Sequence, residues 1–167
     1  VYIPLRSAGN NLFETTAPIA KGVRFKMEVK NSTECYTYVF GKETDGTSYT
    51  LFPYPQKEDP TKTKYSPFCG ITGYRLFPKD KSMTADSIGT RDMIAVVISK
   101  QPLDWYALNQ QISKNPQQDY GQRLNAALGG SLISNVRFQN SSKGVMQFSA
   151  EGDANKVVAC IVEIDKK

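Results

Sequence analysis

The sequence contains no histidine, and that absence excludes more chemistry than any residue present identifies. Without imidazole, the Ser-His-Asp and Cys-His arrangements have no base and the common zinc sites lose their usual ligand. Cysteine is scarce as well. Cys35, Cys69 and Cys160 are too few and too scattered for a metal knuckle or a disulfide scaffold. Long apolar runs are missing; the longest, Met93 to Ile98, falls far short of the roughly 20 residues a membrane-spanning helix needs. No run of five or more basic residues occurs, and a net charge of +5 with pI near 9.1 is a mild excess. Such a surface favours anionic contacts without pointing to nucleic acid. The expectation is therefore no nucleic-acid partner, no transmembrane segment, no metal and no cofactor. The chain opens at Val1 with no charged-then-apolar leader, which reads as a processed or engineered end.

What is present is ordinary for a folded globular chain. The 167 residues are 40% hydrophobic and 22% charged, with 11% aromatic, enough for one domain with a real core and biased toward pleated structure. Residues 1–167 are expected to form a single globular domain. Val23, Phe25, Met27 and Val29 alternate with Arg24, Lys26, Glu28 and Lys30, a half-buried strand with a wet face.

The stretch Glu34–Pro53 is the most legible. Cys35 to Phe40 is apolar or aromatic at nearly every position, as in a strand covered on both sides. Asp45-Gly46 is a tight-turn signal, because Gly accepts positive φ. Ser48 to Phe52 returns, and Pro53, lacking an N–H, ends the pairing. Residues 53–68 hold four of the prolines and read as a long polar loop, a kind that tends to be functional or mobile.

Tyr74 to Phe77 and Asp92 to Ser99 predict further strands, the second central. A helix is expected from Asp104, a good N-cap, with Trp105, Leu108 and Ile112 on one stripe and Asn115-Pro116 as its stop. A second covers about Gln118 to Leu128 with Gly129-Gly130 as its cap. Leu132–Phe138, Val145–Ala150 and Val157–Ile164 close the chain as strands, the last two joined in a hairpin at Glu151-Gly152-Asp153. The expected fold is mainly β (α+β): an antiparallel β-sandwich or partly open barrel of about eight strands, with two helices in the C-terminal third covering one end or edge.

Lys21-Gly22-Val23, Cys35-Tyr36-Thr37-Tyr38-Val39-Phe40, the Asp45-Gly46 turn, Leu51-Phe52-Pro53, Leu76-Phe77-Pro78, and Ile94–Ile98 leading into Gln101-Pro102-Leu103-Asp104 stand in an order that resembles the bacterial family called domain of unknown function 4384. The resemblance spans residues 19–104, a family-like β core; residues 105–167, the helix pair and closing strands, lie outside it. It implies a β-rich accessory module of a bacterial cell-envelope or multidomain protein, periplasmic or surface-exposed. The family has no agreed catalytic residues to carry over.

Candidate chemistry is thin. Glu43 with Asp45, and Glu58 with Asp59, are paired carboxylates, but they sit on turns, where carboxyls are solvated rather than tuned for acid catalysis. Ser99-Lys100, Ser113-Lys114 and Ser142-Lys143 are adjacent in sequence, which is not the geometry of a Ser-Lys dyad. Asn31-Ser32-Thr33 and Asn140-Ser141-Ser142 spell glycosylation acceptors that matter only in a eukaryotic secreted protein. The three cysteines read as buried thiols, with a Cys35–Cys69 bridge as the alternative.

The best candidate surface is 54–81. It carries six basic residues against three acidic ones, a local net of +3, with Tyr54, Tyr65, Phe68, Tyr74 and Phe77 interleaved. Aromatics beside cations bind glycan faces, peptides or anionic polymers; equally, the aromatics could fold inward and pin the loop. The partner-binding candidates are Tyr54, Lys57, Lys64, Tyr65 and Phe68. The function these features suggest is a non-enzymatic binding or accessory module contacting a protein or glycan partner. The alternatives are a hydrolase using a Ser/Lys or carboxylate site, and a structural spacer domain.

Overall fold

The computed structural model describes residues 3–9, 11–31, 33–70, 73–77, 83–133, 136–140, 146–150 and 155–167. Its strands are β1 (Leu5–Gly9), β2 (Leu12–Thr15), β3 (Arg24–Phe25), β4 (Met27–Asn31), β5 (Cys35–Lys42), β6 (Ser48–Phe52), β7 (Phe68–Cys69), β8 (Gly73–Phe77), β9 (Met83–Thr84) and β10 (Arg91–Ser99). Two helices follow, α1 (Trp105–Lys114) and α2 (Tyr120–Leu128), then β11 (Val136–Asn140), β12 (Met146–Ala150) and β13 (Val157–Asp165).

The backbone of the fold is the β10–β13 pair. These two strands run antiparallel from Arg91↔Asp165 to Ser99↔Val157, and both are apolar almost throughout. Strand alternation divides that run. Ile94, Val96, Ile98, Cys160, Val162 and Ile164 enter one core cluster, while Ala95, Val97, Val157, Ala159 and Ile161 enter the other. A strand loaded on both faces must be covered on both, so the pair takes the middle of a seven-stranded sheet in the order β1-β2-β13-β10-β5-β6, with β7 added on β5. The fold is mainly sheet. The sheet is mixed rather than wholly antiparallel, because β13 runs parallel to β2, and it is not closed into a barrel.

One face is covered by the helices. Leu108 and Ile112 of α1 and Tyr120, Leu124 and Leu128 of α2 are buried on Tyr38, Phe40, Ala95 and Val97. The pair therefore lies across a sheet face rather than at an end or edge, since its two apolar stripes match the row of side chains the central strands present there. Asp104 Oδ1 accepts the Ala107 N–H at 3.0 Å, the cap the sequence predicts, and Asp119 Oδ1 accepts the Gln122 N–H at 3.1 Å, so the second helix starts at Tyr120 behind an aspartate cap of its own rather than at Gln118. Gly129, at φ +50°, closes α2 by donating its N–H to the Asn125 carbonyl.

The opposite face packs on Phe25, Met27, Leu5 and Phe13. Phe138 of β11 meets Phe13 edge-on at 5.9 Å. A smaller sheet, β11-β12-β4-β8, and the β3–β9 pair complete this side. The expected strand over Val23–Val29 is divided at Lys26, with β3 and β4 in different sheets. The expected hairpin between the last two strands is also corrected. β12 pairs with β11 and β4, while β13 lies in the large sheet. The apolar run of β13 needs cover on two faces, which a terminal hairpin cannot supply. Glu151, Gly152 and Asp153 lie outside the described residues, as do Ser142 and Lys143.

Candidate functional site

The polar segment after β6 has its own structure. The Lys64 N–H donates to the Tyr54 carbonyl at 2.7 Å, and the Gln56 N–H to the Lys62 carbonyl at 2.9 Å, flanking a Pro55↔Thr63 bridge. At its tip, Asp59 Oδ1 accepts from the Thr61 hydroxyl at 2.6 Å and the Thr61 N–H at 3.1 Å, an Asx turn. The segment is thus a narrow β-ribbon, with Pro55 in its first arm and Pro60 in the turn at its tip, in place of the irregular loop expected from composition.

One side of this ribbon faces the main sheet across a cleft of about 560 Å³. Tyr54, Pro55, Gln56, Lys57 and Pro60 form the ribbon wall. Lys42, Glu43 and Thr44 from the β5–β6 turn and Tyr49, Thr50 and Leu51 from β6 form the next, and Thr84, Asp86 and Asp92 stand opposite, over a floor of Phe25, Met83, Met93 and Ile94. Tyr49 is directly opposite Gly41 across the β5–β6 pair, and its ring lies on that glycine. A Cβ at Gly41 would come within 2.5 Å of the ring, so a glycine there lets the tyrosine lie down along the cleft. Burial pushes the Tyr49 phenol up to about 12, and the carboxylates of Glu43, Asp92 and Asp86 add to the shift. The cleft is thus an aromatic and aliphatic trough with an acidic rim.

That rim is organised by Lys166, which belongs to no motif in the sequence. Lys166 is fully buried, and its Nζ donates to Asp86 Oδ1 at 2.6 Å, Asp92 Oδ1 at 2.7 Å and the Ile88 carbonyl at 2.7 Å. Burial pulls the Lys166 amine down, but the hydrogen bonds to Asp86 and Asp92 outweigh it and hold the amine above its ordinary value. The Lys166 bond holds Asp86 low, whereas burial raises Asp92 despite the same ammonium. The clamp fixes the 86–92 bend to the C-terminal strand. Removing one partner of a buried ion pair costs about 3–5 kcal/mol. Here the carboxylates are 49% and 27% exposed, so Lys166→Met is expected to cost only about 1–2 kcal/mol, measured as a lower urea midpoint with an unchanged slope.

The sequence-based candidates separate in space. Tyr54 and Lys57 line the cleft. Tyr65 packs inward against the same core cluster that supplies Phe25 and Ile94 to the cleft floor and is not itself a lining residue, with the Lys64 ammonium 5.3 Å from its ring centroid. Phe68, 46% exposed, stands in β7 and meets Tyr36 edge-on at 5.6 Å. The structure therefore brings two of the five together and puts Tyr49, Glu43, Asp86, Asp92 and Lys166 beside them.

The other constellations take structural places. Asp45 Oδ1 accepts from the Thr47 hydroxyl and N–H at 2.6 and 2.9 Å, which holds its carboxyl low on a solvated turn; Thr61 does the same for Asp59. Ser99 Oγ accepts the Gln101 N–H and Ser113 Oγ the Ser48 N–H, each serving a backbone donor. Among the described residues no three His, Cys, Asp or Glu side chains group as a metal site, and no helix is long and apolar enough to cross a membrane. No family model, no curated protein and no solved structure matches the chain.

Proposed function

We propose that this chain is a non-enzymatic binding module whose partner, a glycan or protein segment, seats in the cleft between the Tyr54 ribbon and the main sheet. One observation carries the proposal: Tyr49 and Tyr54 share a trough of about 560 Å³ with Glu43, Asp86 and Asp92 on its rim. Binding pockets characteristically combine an apolar lining with a few convergent polar groups. Flat tyrosine faces suit the C–H face of a sugar ring, and carboxylate oxygens accept its hydroxyls in charge-assisted hydrogen bonds. Lys57 and Lys42 also line the cleft, so its charge is nearly balanced and favours a polar, near-neutral ligand over a polyanion. The resemblance of residues 19–104 to a family of accessory modules of bacterial cell-envelope or multidomain proteins is in keeping with a periplasmic or cell-surface setting, where such glycans are exposed.

The non-enzymatic part rests on Lys166. A hydrolytic carboxyl must take up and release a proton during the reaction, whereas Asp86 and Asp92 each commit Oδ1 to the Lys166 ammonium and keep Oδ2 as an acceptor for a ligand hydroxyl. Titration calorimetry with soluble cell-wall glycan fragments and with unrelated polysaccharides tests the proposal. Tyr54→Ala is expected to weaken retention roughly ten- to hundred-fold while the melting temperature stays within about 2 °C, since Tyr54 is half-buried on the cleft wall. Equal affinity of Tyr54→Ala and the parent for every ligand bound, or cleavage of a bound glycan, would overturn it.

A further inference from the structure

We propose that Cys35 and Cys69 form a reversible cross-strand disulfide that staples the base of the cleft-forming ribbon. This inference is independent of what the cleft holds. Cys35 and Cys69 are Cα partners in the antiparallel β5–β7 pair, with Tyr36 opposite Phe68 beside them. Directly opposed residues point to the same face, and both thiols are buried in the same core cluster. The Thr37 N–H donates to the Pro67 carbonyl at 2.9 Å, two residues along, so Cys35 and Cys69 fall on a hydrogen-bonded rung. Such rungs have Cα atoms about 5.5 Å apart, inside the disulfide range of about 4.4–6.8 Å. On a hydrogen-bonded rung the Cβ atoms sit at the far end of the range of about 4.5–5.5 Å, against about 3.8 Å in a disulfide, so closure draws β7 inward by roughly 1.5–2 Å. A two-residue strand followed by Gly70 can make that movement. Cys35 Sγ lies 3.9 Å from Thr37 Oγ1, and Cys69 Sγ 3.7 Å from the Pro67 carbonyl.

Cys160 is not a competing partner. It is opposite Val96, which is in turn opposite Val39, two strand spacings and several residues away from Cys35. At about 4.8 Å per strand it is beyond disulfide reach.

The chemistry is thiol–disulfide exchange with a small-molecule or dithiol-oxidase disulfide as oxidant. One cysteine thiolate attacks the oxidant's S–S bond, forming a mixed disulfide and releasing one thiolate. The second cysteine, having lost its proton to solvent, displaces the other thiolate and closes Cys35–Cys69. Two electrons pass to the oxidant, which leaves as two thiols. The covalent loop so closed contains all of β6 and the ribbon, and the bridge ties the ribbon's far end to β5.

Folded protein equilibrated with excess oxidised glutathione, then unfolded under alkylation, tests this. The expected products are a Cys35–Cys69 linked peptide and an alkylated Cys160, a melting midpoint raised by roughly 10 °C over the reduced protein, and slower proteolysis within residues 53–67. Cys160→Ala should behave identically, and Cys69→Ser should lose all redox response. Three alkylated thiols, glutathione adducts alone, or a bridge to Cys160 would overturn the assignment.

Discussion

Tyr38→Ala is expected to cost about 3–5 kcal/mol, the range for deleting a fully buried aromatic ring, and to lower the melting midpoint by about 10 °C or more for a chain of this length. The side chain is wholly inaccessible and stands in the centre of β5, on the helical face of the sheet, with Phe40, Val97, Leu108 and Ile112 in the same cluster. It has a second role at its tip. The phenol oxygen accepts the Leu103 N–H at 2.8 Å, satisfying a backbone donor in the segment between β10 and the Asp104 cap. Tyr38→Phe keeps the ring and strands that donor, so it should cost about 1–2 kcal/mol. Chemical denaturation of the two variants separates the contributions. If Tyr38→Ala cost no more than Tyr38→Phe, the ring would not be the keystone of that face.

The same strand shows what was legible in the sequence and why. Cys35–Phe40 is apolar at both parities, a pattern that only a doubly covered strand can use, and β5 is doubly covered. The Asp45-Gly46 turn, the Asp104 cap and the Asn115-Pro116 stop are local devices whose meaning is complete within a few residues, and each lies where expected. Sheet order is not local. Nothing in the hydrophobic pattern of Val157–Ile164 says that it inserts between β2 and β10 rather than folding back on β12; only the requirement for cover on two faces hints at it.

The cleft was half legible for the same reason. Tyr54 and Lys57 stood out by composition, but alternation along the ribbon directs Tyr65 to the core and leaves Tyr54 on the cleft. Asp86, Asp92 and Lys166 carry no shared motif, being brought together by a clamp between a bend and the chain's penultimate residue. The one advance signal for Lys166 was its position directly after an apolar strand, where the next side chain inherits the strand's burial.

Stability is expected to fall steeply as pH rises from about 9 to 12, on a sum of shifts of one sign. Burial pushes the Cys160 thiol up to about 12 from an ordinary 9.0, and the Tyr49 phenol up to about 12 from 10.0. Burial likewise raises Tyr38, whose Leu103 hydrogen bond offsets it in part, and Tyr120, whose hydroxyl shares a 2.8 Å hydrogen bond with Ser48. Lys166 is raised as well. In every case the folded state holds its proton longer than the unfolded chain does. Unfolding therefore releases protons, and each contribution is complete below the unfolded pKa and lost as pH climbs through the folded one. Cys160 acts first, because free thiols begin to ionise near 9; holding it protonated to about 12 corresponds to a loss on the order of 4 kcal/mol across that window. Cys160→Ala removes a small buried group and should cost about 1 kcal/mol at pH 7, yet it forfeits nothing to thiol ionisation. Urea titrations under reducing conditions at pH 7 through 11 should therefore show the parent ahead at neutral pH and the variant ahead above about pH 10. Parallel curves would mean that Cys160 ionises no later folded than unfolded, which a sulfur enclosed between Val96 and the core of the β10–β13 pair does not allow.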